Sequence, residues 1–324
     1  MALADLSTIA RRTALTGTSD LIDALVVCPG IHKQQDAPDL VGGEYPACAA
    51  MTSGYVFRVE NPATVLFLQK VGETGHLTTL SVKPQNQPKA GYPVLQRLLS
   101  GKVPGGRTSW LANTAYAMAV AVTLVAIVII ILLQDWWALT VIGILTMSRF
   151  INVIVIRRRV LRAAQGWKGA SEPGVKGDLL ILMSQDRWIR LQGDVDDLKA
   201  VTSGQWLQEP TFIESAFVAL ATLLVYIDAA LAGNARQEGK LLLIILLCVS
   251  VGLLGMANEW TDKLHMHGRT LQVVKKPQKY ARRLALAEQL VAESGRRDWA
   301  VRMGMIPTEP ASNVVEKMDG QVIM

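Results

Sequence analysis

The chain has 324 residues, a formal net charge of +6 and a hydrophobic half, with a mean hydropathy of +0.27. This is too apolar for an ordinary soluble domain and places the chain in the membrane class. Three cysteines, Cys28, Cys48 and Cys248, are too few for a disulfide framework, and Cys248 lies in an apolar run where a thiol behaves as a small hydrophobe.

Residues 1–105 read as an N-terminal cytosolic region with short strands. The first twenty carry Arg11 and Arg12 but no apolar run long enough for a signal-peptide core. Residues 21–27 read as a short helix opened by Ser19 or Asp20. Residues 55–59 and 65–69, around Glu-Asn-Pro-Ala, read as a hairpin, and 76–82 as a third strand. The Pro-, Gly- and Lys-rich stretch 83–106 reads as a linker.

Residues 111–133 carry no charge, and at about 1.5 Å per residue they suffice to cross a hydrocarbon core of about 30 Å. After Gln134 and Asp135 the apolar run resumes over 136–156, so 106–158 is expected to form a transmembrane hairpin. In the loop 159–210, residues 179–183 and 188–191 flank Ser184-Gln185-Asp186 as a β-hairpin. Segments 212–232 and 241–257 make a second hairpin within 211–258. The remainder, 259–324, is expected to hold a strand at 268–274 beside the hairpin of the middle loop, then an amphipathic helix at 280–294 stopped by Gly295, and a tail after Pro307. The expected fold is therefore membrane α-helical, with four transmembrane helices in two antiparallel hairpins and a small cytosolic α+β portion.

Basic residues set the orientation. Arg157, Arg158, Arg159 and Arg162 follow the second span, Arg97, Lys102 and Arg107 precede the first, and Lys263, Arg269, Lys275 and Lys276 follow the fourth, against only Arg236 and Lys240 in the narrow turns. This pattern places both termini and the middle loop in the cytosol of a plasma membrane or endomembrane. The four arginines after the second span are the candidates for anionic lipid headgroups.

Ionisable groups at membrane depth are functional candidates. They are Arg149, about 10 Å from the cytosolic end of the second span, Glu214 at the start of the third, and Asp228 near its far end. Arg149 is expected to snorkel to lipid phosphate, with pairing to Glu214 as the alternative. Absence of a central carboxylate or proline argues against coupled transport. Ala115 with Ala119, and Cys248 with Gly252, have the spacing for close helix packing, within the chain or between copies.

Outside the spans, Asp194, Asp196 and Asp197 have a DxDD spacing that suits an acid site or magnesium, yet the same residues fit the start of a helix, where they favour the dipole. His265 and His267 fall on one side of a strand as two metal ligands, short of the number a site needs. No Gly-rich phosphate loop, His-Glu-x-x-His element or Gly-x-Ser-x-Gly elbow occurs, and no cofactor is called for.

Residues 177–207, GDLLILMSQDRWIRLQGDVDDLKAVTSGQWL, and 209–232, EPTFIESAFVALATLLVYIDAALA, resemble an uncharacterised family of multi-pass membrane proteins from filamentous fungi. The resemblance runs from the first span to about Ile306 and implies a eukaryotic membrane setting without assigning an activity. The expected function is non-enzymatic: a membrane-anchored protein that binds a partner or organises lipids, with the bilayer, a protein partner or a second copy as its contacts and no nucleic acid. The alternatives are a membrane-embedded enzyme on a lipid or isoprenoid, using the three aspartates, and a subunit of an oligomeric channel.

Overall fold

The computed structural model describes residues 14–15, 21–28, 40–84, 107–166 and 169–307. The linker beyond Pro84 and the tail beyond Pro307 lie outside the described residues. Strands β1 (Ala47–Ala50) and β2 (Val56–Arg58), helix α1 (Pro62–Val71) and strand β3 (His76–Pro84) precede two long helices, α2 (Arg107–Leu132) and α3 (Trp136–Ala164). Strands β4 (Lys176–Met183) and β5 (Arg187–Asp194) and helix α4 (Val195–Thr202) come next, followed by long helices α5 (Phe212–Leu231) and α6 (Gln237–Glu259). The chain continues through β6 (Lys263–Met266), β7 (Arg269–Val273), β8 (Gln278–Lys279), α7 (Arg283–Ser294) and α8 (Asp298–Arg302).

Four helical segments are long and apolar enough to cross a membrane: Trp110–Leu132, Trp136–Ala164, Phe212–Asn234 and Gln237–Glu259. Their most extensive packing does not follow chain order, because α2 lies chiefly against α6 and α3 chiefly against α5. On α2 the buried positions Ala112, Ala115, Ala119, Thr123, Ala126 and Ile130 recur at helical spacing, and on α6 Leu243, Leu246, Ser250, Leu254 and Ala257 do the same. Small side chains on α2 let the two backbones approach. Ala115 and Ala119 thus serve packing inside the chain, whereas Cys248 and Gly252 are exposed.

The β-structure is larger than the sequence suggests. All eight strands form one sheet in the order β2-β1-β4-β5-β3-β7-β6, with β8 also on β3. Strands from before, between and after the long helices are therefore interleaved. β3 pairs parallel with β5, Leu80 opposite Leu191, and antiparallel with β7, Val82 opposite Leu271. The strand expected at 268–274 does form, but β3 stands between it and the β4–β5 hairpin. Alternation along β4 sends Leu179 and Ile181 to one face, under α1 and α4, and Leu180 and Leu182 to the other, under α7 and α8.

Residues 65–69 are helical, not the second arm of a hairpin. Asn61 accepts from the amides of Ala63 and Thr64 at 3.1 and 3.2 Å, and Pro62 occupies the first turn, where its missing N–H costs nothing. Glu-Asn-Pro-Ala is thus a helix start rather than a turn. The Asn61 amide also donates to Gly204 O and Thr64 Oγ1 donates to Val201 O at 2.5 Å, fastening α1 to α4.

Lys70, in the last turn of α1, joins the sheet to the bundle. Its ammonium donates to the carbonyls of Glu259 and Thr261 at 2.6 and 2.8 Å and to that of Asn258, which stand at the C-terminal end of α6 where the helix dipole favours a cation. Burial holds the Lys70 pKa below its ordinary value against the opposing pull of Glu259 and Asp262. Lys70→Met is expected to cost about 1–2 kcal/mol, read as a lower melting temperature in detergent together with faster proteolysis between α6 and β6. An unchanged cleavage rate there would remove the clamp.

Candidate functional site

The polar interior of the bundle centres on Arg149 of α3. A 3-10 turn, Leu21–Leu25, followed by Val26, Val27 and Cys28, packs against α3 and α2. The sequence reading anticipated a short helix here but not its place among the long helices. Asp23 is 9% exposed and its carboxylate accepts a hydrogen bond from the Tyr116 hydroxyl of α2. Arg149 is 3% exposed, and Asp23, Cys28 and Tyr116 are the groups within its electrostatic reach. Its Nε has no hydrogen-bond partner among the described residues. Ser148 and Asn152, flanking it on α3, are fully buried, and Ser148 Oγ donates to Ala221 O of α5 at 2.8 Å.

Arg149 therefore neither snorkels outward nor pairs with Glu214. The Glu214 carboxylate is engaged at the start of α5, accepting from the Thr211 amide at 2.9 Å in a reciprocal cap with the Thr211 hydroxyl. It also takes Arg162 in a close ion pair and stands 3.9 Å from Arg158. Arg162, the close partner of Glu214, lies more than three turns of α3 beyond Arg149, so a pairing by depth overlooked nearer partners. Of the remaining headgroup candidates, Arg157 and Arg158 are exposed, whereas Arg159 is buried with Nε donating to Gln208 O at 2.7 Å. Asp228 is buried near the end of α5, with Oδ1 lacking a partner among the described residues.

The three aspartates diverge. Asp194 precedes α4 without a side-chain cap bond and pairs with Lys176 at 2.5 Å. Asp196 accepts from the Glu172 amide and the Ser171 hydroxyl, both at 2.8 Å, and those bonds hold its carboxyl below the ordinary carboxylate range. Asp197 takes Arg269 at 2.7 Å. Each carboxylate is thus tied to a different neighbour, and Asp196 is stabilised as an anion rather than poised as an acid. His265 and His267 diverge as well: His267 sits in a turn at φ +47 with Nε2 3.0 Å from Gln205 O, and His265 Nδ1 lies 3.1 Å from Thr270 Oγ1. Burial, with Lys263 adding to it, lowers the His265 pKa. Among the described residues no three His, Cys, Asp or Glu side chains gather as a metal site.

Asp23 escaped the sequence reading. The signal was a single acid within Leu-Ile-Asp-Ala-Leu-Val-Val-Cys, a run too short to suggest a span. Comparisons with family models, with curated proteins and with solved structures give no match. The fold and the site define a class only in general terms: four helices able to cross a membrane, joined to an eight-stranded sheet.

Proposed function

We propose that the chain is an integral membrane protein of the plasma membrane or an endomembrane, with four spans forming two antiparallel hairpins and all three large portions in the cytosol. It acts without catalysis, holding the sheet module against the bilayer to bind a protein partner or organise lipids. The observation that carries this reading is the interleaving of strands from before, between and after the apolar helices. Such a sheet can fold only if each pair of spans returns the chain to the side it left, which agrees with the distribution of Lys and Arg. Exposed Trp136 and Trp137 at one end of the bundle and Trp110 at the other have the placement of interfacial aromatic anchors. The separate engagement of Asp194, Asp196 and Asp197 supports a non-enzymatic role.

Protease added to sealed, right-side-known vesicles tests the arrangement. Cleavage in the sheet is expected only from the cytosolic side for all three portions, with residues 133–135 and 233–236 reached only from the other. Sheet segments cleaved from opposite sides would sink it.

A further inference from the structure

We infer that Arg149 and its surroundings form a binding site for the phosphate of an anionic lipid drawn from the cytosolic leaflet, and that residues 21–28 are the internal cover this lipid displaces. The inference rests on the membrane reading above and names a ligand for that bundle.

An ionised side chain removed from water is tolerated when it is paired and fully hydrogen-bonded. Arg149 is enclosed, yet its Nε has no partner among the described residues. Asp23 is an acid within electrostatic reach of Arg149, and its Oδ1 accepts from the Tyr116 hydroxyl, yet the Arg149 Nε–H donates no hydrogen bond to it. A buried donor left over in an otherwise packed interior marks the place of a missing acceptor. A guanidinium offers its Nε–H beside a second N–H as a planar fork, which matches two oxygens of one phosphate.

Depth selects an amphiphile as the carrier. Arg149 lies about 10 Å inside the cytosolic end of the apolar run, near Cys28 and Tyr116, which belong to the same apolar cluster as Val26, Val27, Ala115 and Ala119, surroundings that suit the glycerol and upper chain of a lipid better than a hydrated ion. Arg157 and Arg158, exposed two turns further along α3, enrich anionic lipids at the point of entry. The cover is built to be exchanged: residues 26–28 have no regular structure although they are buried, a form tolerated at membrane depth only against protein or a cavity. Asp23 cannot share the guanidinium with a phosphate without like-charge repulsion, so it acts as the competitor in the chain itself.

The test uses the full chain purified in detergent, with melting temperature followed as dioleoyl phosphatidic acid, dioleoyl phosphatidylcholine or inorganic phosphate is added. Phosphatidic acid alone is expected to raise the melting temperature. Asp23→Asn should then respond at several-fold less lipid, Arg149→Gln should lose the response, and the paired change of Arg157 and Arg158 to Gln should only weaken it. Where Arg149→Gln fails to fold, Arg149→Lys keeps the charge without the fork and is expected to respond several-fold less than wild type. An undiminished response in the Arg149 variants, or a weaker one in Asp23→Asn, overturns the site, and an equal effect of inorganic phosphate overturns the lipid as its ligand. A wild-type protein that needs detergent for extraction yet shows no headgroup preference would end this inference alone. One that stays in the aqueous fraction without detergent would end the membrane reading too.

Discussion

A chain beginning at residue 107 is expected to keep its four apolar helices and to lose the protease-resistant sheet. β3 fills the position between β5 and β7, with residues 77–81 on one neighbour and 80–84 on the other. Its removal leaves two unpaired edges in the middle of the sheet and takes away β1, β2 and α1. Phe67, Leu68, Leu80, Val82, Cys48 and Val59 leave the core at the same time. Each large side chain of this kind contributes about 1.5–3 kcal/mol, against a net stability of about 5–15 kcal/mol for a whole domain. Trypsin should therefore cut the truncated chain at Arg187, Arg190 and Lys199 under conditions where the full chain resists. Leu80→Ala is the milder form, with a cost of about 2–5 kcal/mol. A resistant fragment spanning 176–306 in the truncated protein would mean that the middle and C-terminal strands close without β3.

The apolar helices were legible because their signal is one-dimensional: length and the absence of charge suffice, and no partner need be known. The β4–β5 hairpin was legible for a similar reason, since both strands and their turn are adjacent in sequence. What could not be read was the pairing of β3 with β5 and β7, segments separated by about a hundred residues or more. Alternation marks a strand but not its neighbour. Residues 65–69 differ in kind: five apolar-rich positions fit helix and strand equally, and the Asn-Pro pair before them suits a turn as well as the helix start it forms. The polar cluster was half legible. Arg149 stood out because a charge in an apolar run is conspicuous, while Asp23 lay outside every span and gained its importance only from the fold that carries it to Tyr116.

The short turns at the other end of the bundle provide the second large effect. Asp135 is buried, and its two oxygens serve two different helices: Oδ1 accepts from the Ala138 amide at 3.1 Å, capping α3, and Oδ2 accepts from the Arg236 amide at 2.9 Å, at the start of α6. Arg236 returns the contact through Nη1 to Leu133 O at 3.0 Å. Asp135→Ala strands two amides, each costing about 1–3 kcal/mol when buried, so a loss of about 2–4 kcal/mol is expected. Gly239 makes the close approach possible, because a Cβ there would fall 2.1 Å from Asp135 Oδ2 and 2.9 Å from the Ala138 Cβ. Gly239→Ala alone should therefore push the carboxylate off the Arg236 amide and cost about 1–3 kcal/mol. In the double variant the carboxylate is gone and most of the overlap with it, so the combined loss should fall short of the sum by about 1 kcal/mol or more. Denaturant titration in detergent measures all three. Strict additivity would show that Asp135 and Gly239 do not meet, and with that the joining of the two turns would be lost.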